Sequence, residues 1–157
     1  MTILSDRDIL RYMKEGLLVI EDFNEENLTP NGYDLTIDEV YLSSSGARIK
    51  DGTATVEPGR WFAVSTKEYI ALSREVTASL WIRTTFARKG VISSFGKVDA
   101  GFEGNLTLTA YNGGNKPIYL QIGMRFAQIV FESLSSPPLK DYKERSGHYH
   151  AQKGVTF

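Results

Sequence analysis

The sequence contains no cysteine. Disulfides, thiolate zinc sites and a cysteine nucleophile are excluded with it. So is zinc-dependent deamination of a nucleobase, whose metal needs a His/Cys/Cys or Cys₃ cage. An excess of charge is missing too: 18 Lys and Arg stand against 19 Asp and Glu, a net charge of −1. A long nucleic acid is held through many phosphate contacts and would meet no attracting field here. A small anion remains open, because a few local cations suffice. No apolar run is long enough to span a bilayer, and the start, MTILSDRDIL, is amphipathic and charged, unlike a signal peptide. The chain is therefore expected to be soluble and cytoplasmic, with neither a membrane nor a nucleic acid as partner. Histidine is scarce: His148 and His150 stand one residue apart and point to opposite faces of an extended segment, which argues against a metal pair.

What is present reads as one domain. A length of 157 residues carries one real core and is short for two. Residues 5–15 predict the one helix. Ser5 can cap it, Asp6 and Asp8 occupy the first turn where the helix dipole favours acids, Ile9, Leu10 and Met13 form a stripe, and Gly16 stops it. Elsewhere short apolar runs alternate with turns: 17–20, 36–42, 47–50, 53–56, 61–65, 69–72, 77–82, 117–120 and 124–131. The dipeptides Asp51-Gly52 and Pro58-Gly59 punctuate them. Residues 86–90 suggest a single helical turn. Many short strands at regular spacing point to an all-β barrel or double-sheet roll with one helix at the start. From Ser135 the composition turns to Ser, Pro, Lys, Gly and His, so 135–157 is expected to be a flexible arm outside the core.

The richest stretch runs from Arg83 to Asn112. Arg83 and Arg88 bracket the hydroxyls of Thr84 and Thr85, and guanidinium forks and hydroxyls suit phosphate oxygens. A single acid, Asp99, follows, and then a Gly-bounded turn, Gly101-Phe102-Glu103-Gly104. A carboxylate there can take a proton from water. The stretch closes on a strand with Leu106, Leu108 and Ala110 on one face and Thr107, Thr109 and Tyr111 on the other. Surface decoration at a strand end and an Asp capping a turn would produce the same residues. Asn31-Gly32-Tyr33-Asp34-Leu35 is similarly open. It is either an ordinary loop-to-strand junction or a place of close backbone approach.

Taken together, these segments resemble the superfamily of trimeric dUTPases and dCTP deaminases over most of the chain. Asn31–Leu35 resembles the first dUTPase motif, Gly-x-Asp-Leu. Arg83-Thr-Thr-Phe-Ala-Arg88 resembles the second, Arg-Ser-Ser-Leu-Ala, with hydroxyls kept. Val98–Gly104 resembles the third, and Gly123-Met-Arg-Phe-Ala-Gln128 the fourth. Tyr142 followed by His148-Tyr-His-Ala-Gln-Lys-Gly154 is similar to the deaminase arm, Lys-Tyr-x-x-Gln-x-Gly, with His148 where that arm has Lys. The resemblance implies a dUTPase-like β-barrel or distorted jelly roll (the β-clip), one domain over 1–157, and a homotrimer.

The branches differ in chemistry. The deaminase pattern places a glutamate in the strand after the third motif, and here Thr109 stands in that position. A hydroxyl of very high pKa cannot carry the protons that deamination moves. The resemblance therefore implies dUTP diphosphatase on a deaminase-type frame. Asp99 would be the base, and Mg²⁺ would be held through substrate phosphates. Arg83, Thr84, Thr85, Arg88 and Gln128 would hold phosphate. Phe102 would pack on the deoxyribose, and backbone at Thr107, Leu108 and Thr109 would read the pyrimidine. Tyr142, His148 and Gln152 would come from the arm, and Asp34 would support the site. The alternatives are a dCTP deaminase, a bifunctional enzyme, or a non-catalytic nucleotide-binding relative.

Overall fold

The computed structural model describes residues 2–157. In chain order the elements are β1 (Thr2–Ile3), α1 (Asp6–Lys14), β2 (Leu18–Ile20), β3 (Leu28–Thr29), β4 (Gly32–Leu42), β5 (Ala47–Ile49), β6 (Thr53–Val56), β7 (Trp61–Thr66), β8 (Ile70–Leu72) and β9 (Val76–Ile82). There follow α2 (Thr84–Ala87), β10 (Val91–Ser93), β11 (Lys97–Val98), β12 (Glu103–Gly104), β13 (Thr107–Asn112), β14 (Ile118–Gln121), β15 (Arg125–Ser133) and α3 (Tyr142–Arg145). The expected all-β plan holds. The main antiparallel sheet runs β10-β13-β7-β4-β15-β9-β11, with β1 on β15 and β3 and β5 on β4. Two smaller sheets, β12-β8-β2 and β14-β6, complete the roll.

Period-two patterning explains the strands. In β6 and β14 exposed and buried residues alternate, with Ala54, Val56, Ile118 and Leu120 turned inward. In β13 Leu108 and Ala110 are buried while Thr109 and Tyr111 are exposed. Phe126 on β15 is the hub of the core. Its ring lies edge-on to Phe86 at 5.0 Å and to Phe62 at 5.9 Å. Phe86 belongs to α2, so the core pins the turn that carries Arg83, Thr84 and Thr85.

Helix α1 forms as expected. Ser5 caps it, its Oγ accepting from Asp8 N at 3.3 Å, and Arg11 pairs with Asp8 at 2.9 Å. Its stripe is narrower than expected: Ile9 is fully buried and Met13 packs on the core, but Leu10 is 43% exposed. At Gly32 the close approach is real. A Cβ there would sit 2.5 Å from the Ile129 carbonyl oxygen, which explains a glycine at the start of the longest strand.

The tail departs from expectation most. Residues 135–157 were expected to lie outside the core, yet they run back across the body. Tyr142 N donates to Ala100 O at 2.9 Å, Ala151 N to Glu103 O at 2.7 Å, Asn105 N to Gln152 O at 3.0 Å and Thr156 N to Thr107 Oγ1 at 3.0 Å. Val155 is 5% exposed. These bonds join backbone to backbone or to one hydroxyl, so the composition of the arm carries no trace of them. Among the described residues no helix is long and apolar enough to cross a membrane.

Candidate active site

Two clusters hold nearly all the candidate residues. The first forms where β9 ends. Arg83 leaves the strand in extended conformation, and its Nε lies 3.0 Å from Asp34 Oδ2 on β4. Arg125 Nη1 approaches the same oxygen at 3.7 Å. Asp34 is nearly buried, and burial raises its pKa while the Arg83 and then the Arg125 guanidinium oppose the rise. Gln128 on β15 sits in register between Asp34 and Trp81, and its Nε2 donates to Thr29 Oγ1 at 2.8 Å. Asp34, Arg83, Thr84, Thr85 and Gln128 line one shallow cleft of about 240 Å³. The two threonines are exposed on the first turn of α2. One guanidinium, two hydroxyls and an amide thus face one opening, a donor set suited to phosphate oxygens.

The second cluster is a cavity of about 350 Å³. The turn between β11 and β12 supplies Asp99 and Phe102, β13 supplies Thr107, Leu108 and Thr109, and the arm supplies Tyr142, Tyr149 and Gln152. Phe102 is buried, and its ring meets Tyr142 edge-on at 5.6 Å. The Tyr142 hydroxyl accepts from Tyr149 N at 2.8 Å, and Gln152 Nε2 donates to Asn105 O at 2.7 Å. Asp99 is exposed to solvent and is the one carboxylate among the described residues lining the cavity. Strand β13 pairs with β7 from Thr107 to Tyr111 but with β10 only from Ala110 to Asn112. Its outer edge at 107–109 therefore carries no strand.

Among the described residues none lines both the cleft and the cavity: within one chain Arg83, Thr84, Thr85 and Gln128 line the one and Asp99 the other. Arg88 caps α2 from the surface, and His148 is exposed with its ring edge-on to Tyr149 at 4.9 Å; neither lines either opening. Tyr149 faces the cavity in the place expected of His148. The arm pattern Lys-Tyr-x-x-Gln already marks position 149 as its aromatic, so a signal existed. Lys97 and Phe95 also line the cavity, and nothing in their spacing announced it. Asn105 was missed as well. Its Nδ2 donates to the carbonyls of Thr66, Lys67 and Glu68 at 2.9, 3.2 and 3.1 Å, while its backbone holds Gln152.

Among the described residues no group of three or more His, Cys, Asp or Glu is placed to hold a metal ion. Asp99, exposed on the cavity wall, is a single carboxylate, which suits a hard cation held mainly by oxygens from elsewhere.

The chain is similar to known proteins over most of its length. A family profile described as dCTP deaminase-like matches residues 3–134. A dCTP deaminase of Pyrococcus horikoshii is 39% identical over 142 residues, 89% of each chain. A protein of Sulfolobus islandicus rod-shaped virus 1 named "Probable deoxyuridine 5'-triphosphate nucleotidohydrolase" is 38% identical over 157 residues, covering 99% of this chain and 97% of that one. Among solved structures, the 2'-deoxycytidine 5'-triphosphate deaminase of Agrobacterium tumefaciens superposes with a TM-score of 0.71 at 22% identity, covering 82% of this chain and 47% of that longer one. A mutant dUTPase of Staphylococcus bacteriophage 80alpha superposes with a TM-score of 0.54 at 20% identity, covering 81% and 97%. The roll is thus the dUTPase-like fold, and the chain belongs to the dCTP deaminase-like family, within the superfamily that also contains the dUTPases.

Proposed function

We propose that this protein is a dUTP diphosphatase, converting dUTP to dUMP and pyrophosphate. One observation carries the reading: Asp99 is the one carboxylate among the described residues lining the cavity, and position 109, on its wall, is a threonine. A single exposed carboxylate can serve a reaction with one proton to remove. Deamination must move protons among water, ring nitrogen and departing ammonia, and a threonine hydroxyl cannot be that relay.

In this reading Asp99 orients a water and takes its proton as the oxygen attacks the α-phosphorus. The bond to the bridging oxygen of the β-phosphate breaks, and pyrophosphate leaves with that electron pair. Positioned proton removal of this kind contributes roughly 10²- to 10⁴-fold. Phe102, held by Tyr142, presents a wall against which the deoxyribose packs and a 2′-hydroxyl clashes. The strand-free edge of β13 at Thr107, Leu108 and Thr109 offers backbone donors and acceptors to the pyrimidine. Mg²⁺ held through the substrate phosphates would supply charge neutralisation to the leaving pyrophosphate.

The separation of cleft from cavity supports a homotrimer with shared sites. Arg83, Thr84, Thr85 and Gln128 of one copy would meet the phosphates of a nucleotide seated by Asp99 of another. Tyr142 and Gln152 would cover it, and Arg88 and His148 would join from the rim. The cytoplasm, where nucleotide triphosphates are made and used, is the location we assign.

The 39% identity to a dCTP deaminase favours a second reading, deamination of dCTP with or without hydrolysis. A paired assay separates the two. The protein is incubated with Mg²⁺ and either dUTP or dCTP, and pyrophosphate and ammonia are scored together. Pyrophosphate from dUTP with no ammonia from dCTP is the expected result. Ammonia from dCTP would overturn the argument from Thr109.

A further inference from the structure

The mechanism leaves one buried acid unused. Glu39 on β4 is 2% exposed. Its partner Arg48 on β5 lies 2.6 Å away, Nη1 to Oε1, and Lys50 Nζ lies 3.5 Å from Oε2. A buried carboxylate is costly unless paired, so the arrangement asks what it serves. Arg48 gives the answer: the same Nη1 donates to the Val155 carbonyl at 3.0 Å. The acid orients the arginine, and the arginine holds backbone of the arm.

Next to this pair stands an aromatic box. Tyr41 and Trp61 lie 5.6 Å apart across β4 and β7. The terminal Phe157 places its ring edge-on to both, at 5.0 Å from Tyr41 and 6.0 Å from Trp61. The Arg48 guanidinium lies over the Tyr41 ring, 5.8 Å from its centroid. Val155 itself is buried, and Thr156 N donates to Thr107 Oγ1 on the cavity wall. Every one of these contacts lies beyond Gln152, the last arm residue lining the 350 Å³ cavity.

We propose that Glu39, Arg48, Tyr41 and Trp61 form a receptor for the C-terminal tripeptide Val155–Phe157, and that this receptor positions the arm over the cavity before any nucleotide arrives. The arm is already tied at its near end, where Leu134 N donates to Glu75 O at 2.8 Å. Fixing the far end closes the intervening chain into a loop, so the conformational freedom that Tyr142, Tyr149 and Gln152 would lose on nucleotide binding is lost in advance. These four are positioning residues. They touch the arm and not the cavity, and the inference holds whichever pyrimidine nucleotide is turned over.

Hydrogen exchange on the full-length, unliganded protein tests this. Phe157→Ala removes both ring contacts and leaves the sheets intact. Exchange at the amides of Ala151 and Thr156 should rise about tenfold, the scale of two edge-to-face aromatic contacts, with strands β13 and β15 and the melting temperature unchanged. Phe157→Tyr should restore wild-type exchange. Arg48→Met should loosen the same amides by an independent route, with Lys50 left to pair with Glu39. In steady-state kinetics with dUTP and with dCTP, KM should rise about tenfold and kcat should hold. Arm exchange unchanged in both Phe157→Ala and Arg48→Met would overturn the proposal, as would a rise spread equally over arm and sheet. Exchange needs no turnover, so the result stands even if neither nucleotide proves to be the substrate.

Discussion

Arg83 and Asp34 hold each other across strand β15, with the guanidinium Nε 3.0 Å from the carboxylate Oδ2. β4 carries the acid, β9 delivers the base, and Gln128 of the intervening strand lies in register between them. The first motif thereby fixes the direction of the second, and the cation stays beside Thr84 and Thr85 at the rim of the cleft.

Removing Arg83 should destabilise the fold in a pH-dependent way. In Arg83→Ala the nearly buried Asp34 keeps only the more distant Arg125. We expect a loss of about 1–3 kcal/mol at neutral pH, below the cost of breaking a fully buried pair because Arg83 is partly solvated. Burial already raises the Asp34 pKa above 3.8, and losing the arginine raises it further. A carboxyl whose folded pKa is raised binds more protons folded than unfolded, so its ionisation costs stability as pH climbs through that range. The gap between wild type and variant should be small near pH 3.8 and widen above it. Urea unfolding at a series of pH values measures this, and a constant gap would remove Asp34 from the explanation.

Lys97 should show the opposite sign. Its Nζ lies 2.8 Å from Glu132 Oε1, and that hydrogen bond, helped by Ser79 Oγ at 2.7 Å, lowers the Glu132 pKa below 4.5. Such a group adds stability that is present above 4.5 and disappears as pH falls through its folded value. Lys97→Met should lower stability above pH 4.5, leave the acid end little changed, and so flatten the acid limb of the stability profile. An acid limb as steep as that of wild type would count against the pairing.

Asp99→Asn should keep nucleotide affinity and lose hydrolysis by roughly 10²- to 10⁴-fold, because the amide is nearly isosteric but does not accept the proton. Binding of dUTP by calorimetry and turnover by pyrophosphate release read the two properties separately. Turnover close to wild type would assign the base elsewhere.

Mixed subunits test the shared site. Arg83→Ala and Asp99→Asn should each be inactive alone. Once the chains are unfolded together and refolded, activity should return, because some sites then take Arg83 from one copy and Asp99 from another. No recovery would mean that each chain builds its own site.

Gly101→Ala should loosen the arm at its root. Gly101 has φ +85°, and a Cβ there would sit 2.8 Å from Asp141 Cβ, just before α3. A left-handed alanine costs about 1 kcal/mol or more, and the clash pushes the capping residue of α3 away. Hydrogen exchange at Tyr142 and Arg145 should rise. Unchanged protection there would show that the turn relaxes without moving the arm.

The sequence by itself determined the class of fold and the chemical vocabulary of the candidate site. Alternation along β6, β13 and β14 follows from the two-residue period of a strand, which any half-buried sheet imposes on its own residues. The Asp99 turn and the Arg83-Thr84-Thr85 corner were legible because each keeps its chemistry within a few consecutive residues. Tertiary structure decided the rest. That Asp34 faces Arg83, that Tyr149 and not His148 turns into the cavity, and that the cleft lies apart from Asp99 depend on which strands become neighbours. The tail shows the reason most plainly. Its polar composition predicts looseness, yet it is held by carbonyls, one hydroxyl, the Glu39–Arg48 pair and two rings contributed by the body. A segment docked by partners far away in the chain leaves no periodicity of its own, because the energy that orders it is written in the residues it touches.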